Sequence, residues 1–221
     1  MNKNPWVGFK FSDSMLHPDD ADSVEFHNRS SKADYQFLLH LAPEPWIGNL
    51  QGNLLVLYSN PGATQDNLNK VFQPKHHEVM EKSISNLNQE ITSFPHFHFD
   101  PELKDTEGGK WFRSKYRWLI EETSDRAVSE NLITCELAPY HSVKWKVPRR
   151  KLPTQEFTYE IIRNAMSRGA VILLARTPKI WLENLPELEN YPKVFRPNSI
   201  NASISPKNYP GNFDKIINSV I

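Results

Sequence analysis

The chain has 221 residues, of which 38% are hydrophobic, 24% charged and 11% aromatic, a balance that is typical of a folded globular protein and excludes a disordered one. Lys plus Arg equals Asp plus Glu at 26 each, so no global positive field indicates nucleic acid, and DNA binding would need a local patch. The lone Cys135 excludes a disulfide framework and a four-cysteine metal or iron–sulfur site.

The chain begins with a polar, aperiodic segment over residues 1–31, which we expect to be an extension of a single domain that covers 1–221. This start lacks the apolar core of a signal peptide, and no apolar run approaches the ~20 residues of a membrane span, so we expect a cytoplasmic protein with no membrane partner. A short helix is predicted next, from a stripe before Pro43 that consists of Tyr35, Leu38, Leu39 and Ala42.

Four apolar stretches are typical of buried strands: Leu54 to Tyr58, Leu132 to Leu137, Ala170 to Ala175 and, more weakly, Lys193 to Arg196. Helical stripes lie between and after them, at Phe112, Tyr116, Leu119 and Ile120, at Phe157, Ile161, Ile162 and Ala165, and at Phe213, Ile216, Ile217 and Val220. Because a parallel pair of strands cannot be joined by a tight turn, this alternation predicts an α/β fold, with three α/β/α layers around a four-stranded, mainly parallel sheet.

Several kinds of active site lack their sequence signature. There is no GxGxxG, Walker A, GxSxG, HExxH or paired CxxC motif, which argues against dinucleotide redox, P-loop, serine-hydrolase and zincin chemistry. His76, His77, His96 and His98 could be metal ligands, but zinc needs three or four converging ligands, and we interpret them as surface or hydrogen-bonded histidines. We therefore expect no metal and no cofactor.

The residues that follow the four strands are richer in chemistry. Ligands of open parallel sheets bind in the crevice beyond the carboxyl ends of the strands. The segments there are Ser59 to Gly62, Ala138 to Ser142, Arg176 to Lys179 and Asn198 to Ser205. They would bring an amide, a phenol, an imidazole, a guanidinium and hydroxyls together with few carboxylates. Such an edge suits a neutral heteroaromatic ligand or a phosphate backbone.

The order of these motifs over residues 43–221 resembles the uracil-DNA glycosylase superfamily. Asn60-Pro61-Gly62 is similar to the water-activating turn of the mismatch-specific and thymine-type branch, and LITCELAPYHS stands where the family has its base-reading strand. VILLARTPKIW is similar to the family's third strand and short helix, and the loop from Asn198 to Ser205 resembles His-Pro-Ser-Pro-Leu-Ser. The resemblance implies a uracil-DNA-glycosylase-like fold in which Asn60 is the catalytic amide.

Two departures bear on the reaction that the resemblance implies. The final loop has no histidine, so Asn201 is assigned to the leaving-group position, with His141 as a further donor. Cys135 and Glu136 stand near the place where many relatives use asparagine to read uracil, which argues against plain uracil specificity. The single cysteine excludes the iron–sulfur branches of the family.

The remaining site residues are predicted as two groups. An everted base needs aromatic surfaces and polar groups around it, and the base-pocket candidates are Ser59, Pro61, Gly62, Phe97, Phe99, Trp111, Phe112, Glu136, Tyr140 and Arg176. Contacts to the DNA backbone are expected from Lys144, Lys146, Arg149, Arg150, Lys151, Ser203 and Ser205. The alternatives are that the aromatic residues belong to the core and that the basic loop is merely solvated.

These expectations favour a monofunctional DNA glycosylase, a monomer that releases a modified base and leaves an abasic site. Modified phage DNA, such as DNA with glucosylated hydroxymethylcytosine, is the preferred substrate, in antiviral defence, because a neutral chain without a uracil signature is poorly suited to scanning all DNA. Repair of uracil or of mismatched thymine is the alternative reaction. A DNA- or nucleotide-binding module without catalysis is the alternative of another class.

Overall fold

The computed structural model of the protein describes residues 3–12, 14–64, 74–90, 93–199 and 203–221. Its strands are β1 (Trp46–Gly48), β2 (Leu54–Tyr58), β3 (Leu132–Glu136), β4 (Val171–Leu174) and β5 (Val194–Phe195). Its helices are α1 (Ala21–Arg29), α2 (Pro74–Leu87), α3 (Glu107–Glu122), α4 (Asp125–Asn131), α5 (Gln155–Ser167), α6 (Pro178–Asn184) and α7 (Phe213–Ile217). The predicted α/β class is confirmed.

The strands form one sheet in the order β1-β3-β2-β4-β5. β4 is parallel to both of its neighbours, with Val171 opposite Leu54 and Ile172 opposite Val194. β1 runs the other way, because the N–H of Glu136 donates to the Pro45 carbonyl while the opposite end of β3, at Leu132, lies against Gly48. The sheet is therefore mixed and five-stranded, and the predicted count of four strands is wrong.

The additional strand, β1, gave little signal in the sequence because it is three residues long and follows Pro-Glu-Pro. Its last residue, Gly48, has φ +115°, and a Cβ there would lie 2.1 Å from the Leu132 carbonyl oxygen. Only glycine adopts this conformation readily and lets the two backbones approach so closely. Gly48 thus permits an antiparallel edge strand where the sequence pattern shows only a loop.

Both faces of the sheet are buried, which explains the uninterrupted apolar run of β2. Leu54, Val56 and Tyr58 belong to one core cluster, which also contains Tyr116 of α3 and Ile216 of α7. Successive side chains of a strand point to opposite faces. Leu55 and Leu57 are completely buried as well, so the second face of the sheet is also covered.

The chain divides into two compact units, each assembled from three segments. Unit 1 comprises Met1–Trp46, Ser59–Glu90 and Glu136–Glu160, and unit 2 comprises Ile47–Tyr58, Ile91–Cys135 and Ile161–Ile221. The sheet lies in unit 2, except that β1 begins and β3 ends at residues of unit 1. The segments that follow β2 and β3 along the chain therefore belong to unit 1. The expectation of a single domain stays a prediction.

The amino-terminal part of unit 1 differs from the prediction. Residues 1–31 include α1, and their Trp6 and Met15 side chains are completely buried. The helix predicted between Tyr35 and Ala42 is absent, because the backbone groups there bond to other segments: the N–H of Leu38 donates to the His141 carbonyl over 2.9 Å. The apolar residues of this stretch fill the core of unit 1 from a loop.

The helices predicted from the three later stripes are confirmed as α3, α5 and α7, and the short helix after the third predicted strand is confirmed as α6. Three other helices, α1, α2 and α4, were not predicted. In α2 the buried positions include Ser83, whose hydroxyl donates to the Glu44 carboxylate over 2.9 Å. A polar residue on the buried face weakens the hydrophobic periodicity by which helices are recognised.

The buried His96 makes the stability of unit 2 sensitive to pH. His96 is completely buried, and burial, followed by the nearby His98, lowers the pKa of His96 well below its usual 6.5. Below about pH 6.5, His96 therefore binds a proton in the unfolded chain but not in the folded chain. The free energy of unfolding falls as the pH drops below this value. We expect His96 to contribute a loss of at most about 1.4 kcal/mol per pH unit, measured by urea denaturation.

The matched variants for this pH dependence are His96→Gln and His77→Gln. Glutamine at position 96 can keep a polar contact to the Thr134 hydroxyl, which lies 3.2 Å from the His96 Nε2, but it has no proton to gain. Its stability should fall less steeply with acid than that of the wild type. His77 is 53% exposed and should leave the slope unchanged. Equal slopes for all three proteins would contradict the prediction.

Within the described residues, no helix has the length and apolar composition needed to cross a membrane.

Candidate functional site

The amide of Asn60 lies two residues after the end of β2, at the start of the Asn-Pro-Gly turn in unit 1. Its Nδ2 donates to the carbonyl oxygens of Pro61, over 3.0 Å, and Tyr140, over 3.2 Å. It also donates to the Ser142 hydroxyl over 2.8 Å. Three acceptors therefore converge on one terminal atom of a half-buried side chain.

These contacts fix which way the amide faces. The Ser142 hydroxyl donates its own hydrogen to the Lys144 carbonyl over 3.0 Å, so it acts as an acceptor toward Asn60. An atom surrounded by three acceptors must be the nitrogen of the amide. The Asn60 Oδ1 accepts no hydrogen bond in the described part of the chain, and it is not sealed from solvent. A half-buried asparagine thus presents a fixed, open acceptor.

The backbone around Asn60 is held by the segment that follows β3. The N–H of Ala63 donates to the Ser142 carbonyl over 3.1 Å, and the N–H of Ser142 donates to the Pro61 carbonyl over 3.3 Å. Gly62 and Ser142 form a parallel bridge, which extends the strand pairing beyond the sheet. A Cβ on Gly62 would meet no atom of the described residues within 4 Å, so none of them fills the space beside the turn.

His141, predicted as a second catalytic group, has both ring nitrogens against backbone carbonyls. Its Nδ1 lies 3.0 Å from the Gly62 oxygen, and its Nε2 lies 3.1 Å from the Ala42 oxygen. The Nε2 is also 3.9 Å from a carboxylate oxygen of Glu44. These contacts tie the Asn-Pro-Gly turn to the segment around Ala42. The geometry favours a positioning role for His141 over transfer of a proton to a departing base.

Tyr140 is completely buried, and its hydroxyl donates to the Asp20 carboxylate over 2.7 Å. Burial, and secondly the charge of Asp20, raise the pKa of Tyr140, so its hydroxyl stays protonated and remains a donor. Asp20 also accepts from the hydroxyl and the N–H of Thr154, over 2.7 and 3.0 Å. The Tyr140 side chain therefore belongs to a buried network of unit 1, and its contribution to Asn60 is its backbone carbonyl.

Arg176, a predicted pocket residue of unit 2, is half-buried, and the four predicted aromatic residues of this unit fall into two groups. Phe97 and Phe99 are 1% and 0% exposed, and Phe112 stacks on the imidazole of His98 at 4.7 Å between centroids, so these three rings belong to the core. Trp111 is 41% exposed and meets the Tyr58 ring edge-on at 5.6 Å. Of the four predicted aromatic residues, Trp111 has the surface that stacking requires.

Ser59 and Glu136, the other predicted pocket residues of unit 1, lie at the ends of β2 and β3. Ser59 is buried, and its carbonyl accepts from the N–H of Ala138 over 2.9 Å. Glu136 is half-buried, and its N–H donates to the Pro45 carbonyl over 3.0 Å. In unit 2, Cys135 is completely buried and reduced, as expected for an inert thiol.

The basic loop of unit 1 is engaged with its surroundings. Lys144 pairs with Asp34 at 2.6 Å and Lys151 with Glu156 at 2.8 Å. Lys146 donates to the Ser31 hydroxyl over 3.1 Å. The Arg150 guanidinium lies 4.0 Å from the Phe26 ring centroid, and Arg149 is exposed. Exposed ion pairs contribute at most ~1 kcal/mol, so phosphate groups can compete for these cations.

The final loop is described only in part. Asn201, the predicted leaving-group residue, lies outside the described residues. Ser205 is buried, and its hydroxyl accepts from the Asn208 amide over 3.1 Å, which makes it an internal contact. Ser203 is half-buried, and its carbonyl accepts from the same amide over 2.9 Å. The N–H of Ile204 donates to the Lys115 carbonyl over 3.0 Å, which holds this loop to α3.

Three polar residues of unit 1 were not predicted as site residues: Ser142, which orients Asn60, Asp20, which anchors Tyr140, and Glu44, which faces His141. Ser142 carried a signal, since it follows the β3 strand. Asp20 and Glu44 carried none, because they lie in segments without a motif. No group of three metal-ligating side chains occurs among the described residues. An open depression of about 450 Å³ lies beside α1, and none of the predicted site residues lines it.

Comparison with known proteins finds no match for this chain among protein families, curated proteins or solved structures.

Proposed function

We propose that this protein is a DNA glycosylase, which hydrolyses the N-glycosidic bond of an everted base. The observation that supports the proposal is the Asn60 amide at the end of β2, with its Nδ2 bound to three acceptors and its Oδ1 left open. The five-stranded α/β sheet, buried on both faces, is compatible with the three-layer fold of the uracil-DNA glycosylases, which the order of the motifs resembles.

The chemistry requires a water molecule held in line with the anomeric carbon of the sugar. Cleavage of the bond builds positive charge on the sugar and negative charge on the base. An amide is a weak base, but its oxygen can accept a hydrogen bond from water and direct the water's lone pair at the sugar. Because Nδ2 is already bound, the amide of Asn60 does not need to reorganise in the transition state.

The proposal also specifies which base is released. Glu136 stands in the segment where related enzymes use an asparagine to read uracil, and its carboxylate cannot reproduce the donor and acceptor pattern of an amide. We therefore favour a modified base of phage DNA, such as glucosylated hydroxymethylcytosine, and a role in antiviral defence within the cytoplasm. Asn201 remains the proposed stabiliser of the departing base.

The direct test is mass spectrometry of the free bases released from a panel of DNAs. The panel contains uracil, a thymine–guanine mismatch, hydroxymethylcytosine and its glucosylated form, with unmodified DNA as the background. We expect release of the glucosylated base and an alkali-labile abasic site in the same strand. Release of uracil or mismatched thymine alone would assign the protein to repair instead.

Base release from none of the DNAs, together with retention of DNA on the protein, would contradict catalysis and support a binding module. To make this outcome decisive, electrophoretic mobility and base release are measured in the same samples. Enzyme is present in excess over DNA, because glycosylases that hold their abasic product would otherwise stop after one turnover.

A further inference from the structure

In unit 2, two half-buried cations lie beside an exposed tryptophan. This surface is formed by Trp111 and Lys115 of α3 and by Arg176, which lies two residues after the end of β4. The N–H of Arg176 donates to the Leu57 carbonyl over 3.1 Å, one residue before Tyr58. The Tyr58 ring in turn meets the Trp111 ring at 5.6 Å between centroids.

The two cations lie close enough to influence one another. The Lys115 Nζ is 5.6 Å from the centroid of the Trp111 ring. Burial foremost, and then the positive charge of Arg176, lower the pKa of Lys115. The Arg176 side chain forms no ion pair with a carboxylate in the part of unit 2 that the structure describes. Two like charges brought together in this way favour an anion between them.

The aromatic part of this surface is accessible to solvent. Trp111 is 41% exposed although it is one of the largest apolar side chains, and the cation beside it would strengthen stacking with an electron-rich ring. An exposed tryptophan next to paired cations matches the requirements of a nucleotide unit: a base that stacks on the indole and a phosphate that binds the cations.

The backbone at this position is also strained. Thr177, adjacent to Arg176, has φ +45° and ψ +45°, the left-handed region that a β-branched residue rarely adopts. Such strain occurs preferentially at ligand-binding positions. Thr177 is the N-cap residue of α6, so this conformation directs the chain from Arg176 into that helix.

We propose that Trp111, Lys115 and Arg176 form a binding surface for one nucleotide unit of a single-stranded nucleic acid, with the phosphate between the two cations and the base stacked on the indole. This surface does not depend on catalysis at Asn60. It would serve an enzyme that acts on DNA and equally a module that only binds it.

The test is fluorescence anisotropy of a labelled thymidine oligonucleotide of about ten nucleotides, titrated with the full chain at several salt concentrations. Arg176→Gln and Lys115→Gln are each expected to weaken binding about tenfold and to reduce the slope of log affinity against log salt by about 0.7. Trp111→Leu is expected to weaken binding about tenfold without changing the salt slope, and Trp111→Phe should restore part of the loss.

The matched control is Lys179→Gln, a lysine of α6 whose side chain is 88% exposed and lies 3.8 Å from the Glu183 carboxylate. It should bind the oligonucleotide as the wild type does, and thymidine monophosphate, but not thymidine, should compete. Wild-type affinity in Arg176→Gln and Lys115→Gln, or equal losses in these variants and in Lys179→Gln, would overturn the proposal. Binding of inorganic phosphate without binding of the oligonucleotide would also overturn it. Loss of base release in Asn60→Ala with oligonucleotide binding intact keeps the two proposals distinguishable.

Discussion

Replacing Asn60 by alanine is expected to lower the rate of base release by about 100- to 1,000-fold while the protein still folds and retains DNA. The reason is that the open Oδ1 is the acceptor proposed to hold the attacking water, and no other side chain supplies that acceptor in the described geometry of the turn. The measurement is the single-turnover rate of base release, with DNA retention and the circular dichroism spectrum recorded on the same samples.

Three variants separate the function of the amide from its effect on folding. Asn60→Asp keeps an oxygen outward but turns a second oxygen toward two carbonyls, so it should also be slow. Ser142→Ala removes one acceptor of Nδ2 and should cost about tenfold, because the amide loses part of its orientation. Asn184→Ala, an exposed asparagine of α6, should leave the rate unchanged. An unchanged rate in a folded Asn60→Ala protein would end the glycosylase proposal.

Replacing Asp20 by alanine is expected to lower the free energy of unfolding by about 3–5 kcal/mol. Asp20 is completely buried and accepts hydrogen bonds from the Tyr140 hydroxyl and from two donors of Thr154. Alanine would leave three donors in the interior without an acceptor, and each such donor costs about 1–3 kcal/mol. Urea denaturation followed by circular dichroism measures the loss.

The neighbouring Asp19 provides the control, because its side chain is 64% exposed and lies 3.8 Å from the His17 ring. Asp19→Ala should change the free energy of unfolding by less than about 0.5 kcal/mol. Tyr140→Phe removes the hydroxyl that donates to Asp20 but leaves the two hydrogen bonds from Thr154 in place. It should therefore cost about 1–2 kcal/mol. A loss below about 1 kcal/mol in Asp20→Ala would contradict the view that this network holds unit 1 together.

The strands could be predicted from the sequence because their residues are apolar on both sides. β2 begins and ends at Leu54 and Tyr58 as predicted, β3 is one residue shorter at its end, and β4 is one residue shorter at each end. The helix predicted between Tyr35 and Ala42 was wrong, because hydrophobic periodicity does not show which backbone groups bond to distant segments. Partners distant in the chain, such as the His141 carbonyl, take the backbone donors that a helix would use.

The position of the candidate site could be predicted from the sequence, but the residues that orient its amide could not. A strand that ends at Asn-Pro-Gly shows where Asn60 lies, since strand ends in α/β sheets are where ligands bind. The orientation of the amide depends on Ser142 and on the carbonyl of Tyr140, which lie about eighty residues further along the chain. A single sequence contains no information on which distant oxygen atoms converge on one nitrogen. The sequence also does not show which aromatic side chains are exposed, so it does not distinguish the exposed Trp111 from the buried Phe97.

The hydrogen bonds of Asp20 show that the folded unit begins earlier in the chain than the motifs do. The motifs that resemble a glycosylase begin at residue 43, yet the carboxylate that anchors Tyr140 lies upstream of them, in a segment whose Trp6 and Met15 are buried. Tyr140 contributes its carbonyl to Asn60, so a fragment cut to the recognisable motifs would lack the brace behind the amide. A fragment that keeps the Asn60 turn braced therefore has to start before Asp20, and the segment without a recognisable motif is part of the folded core.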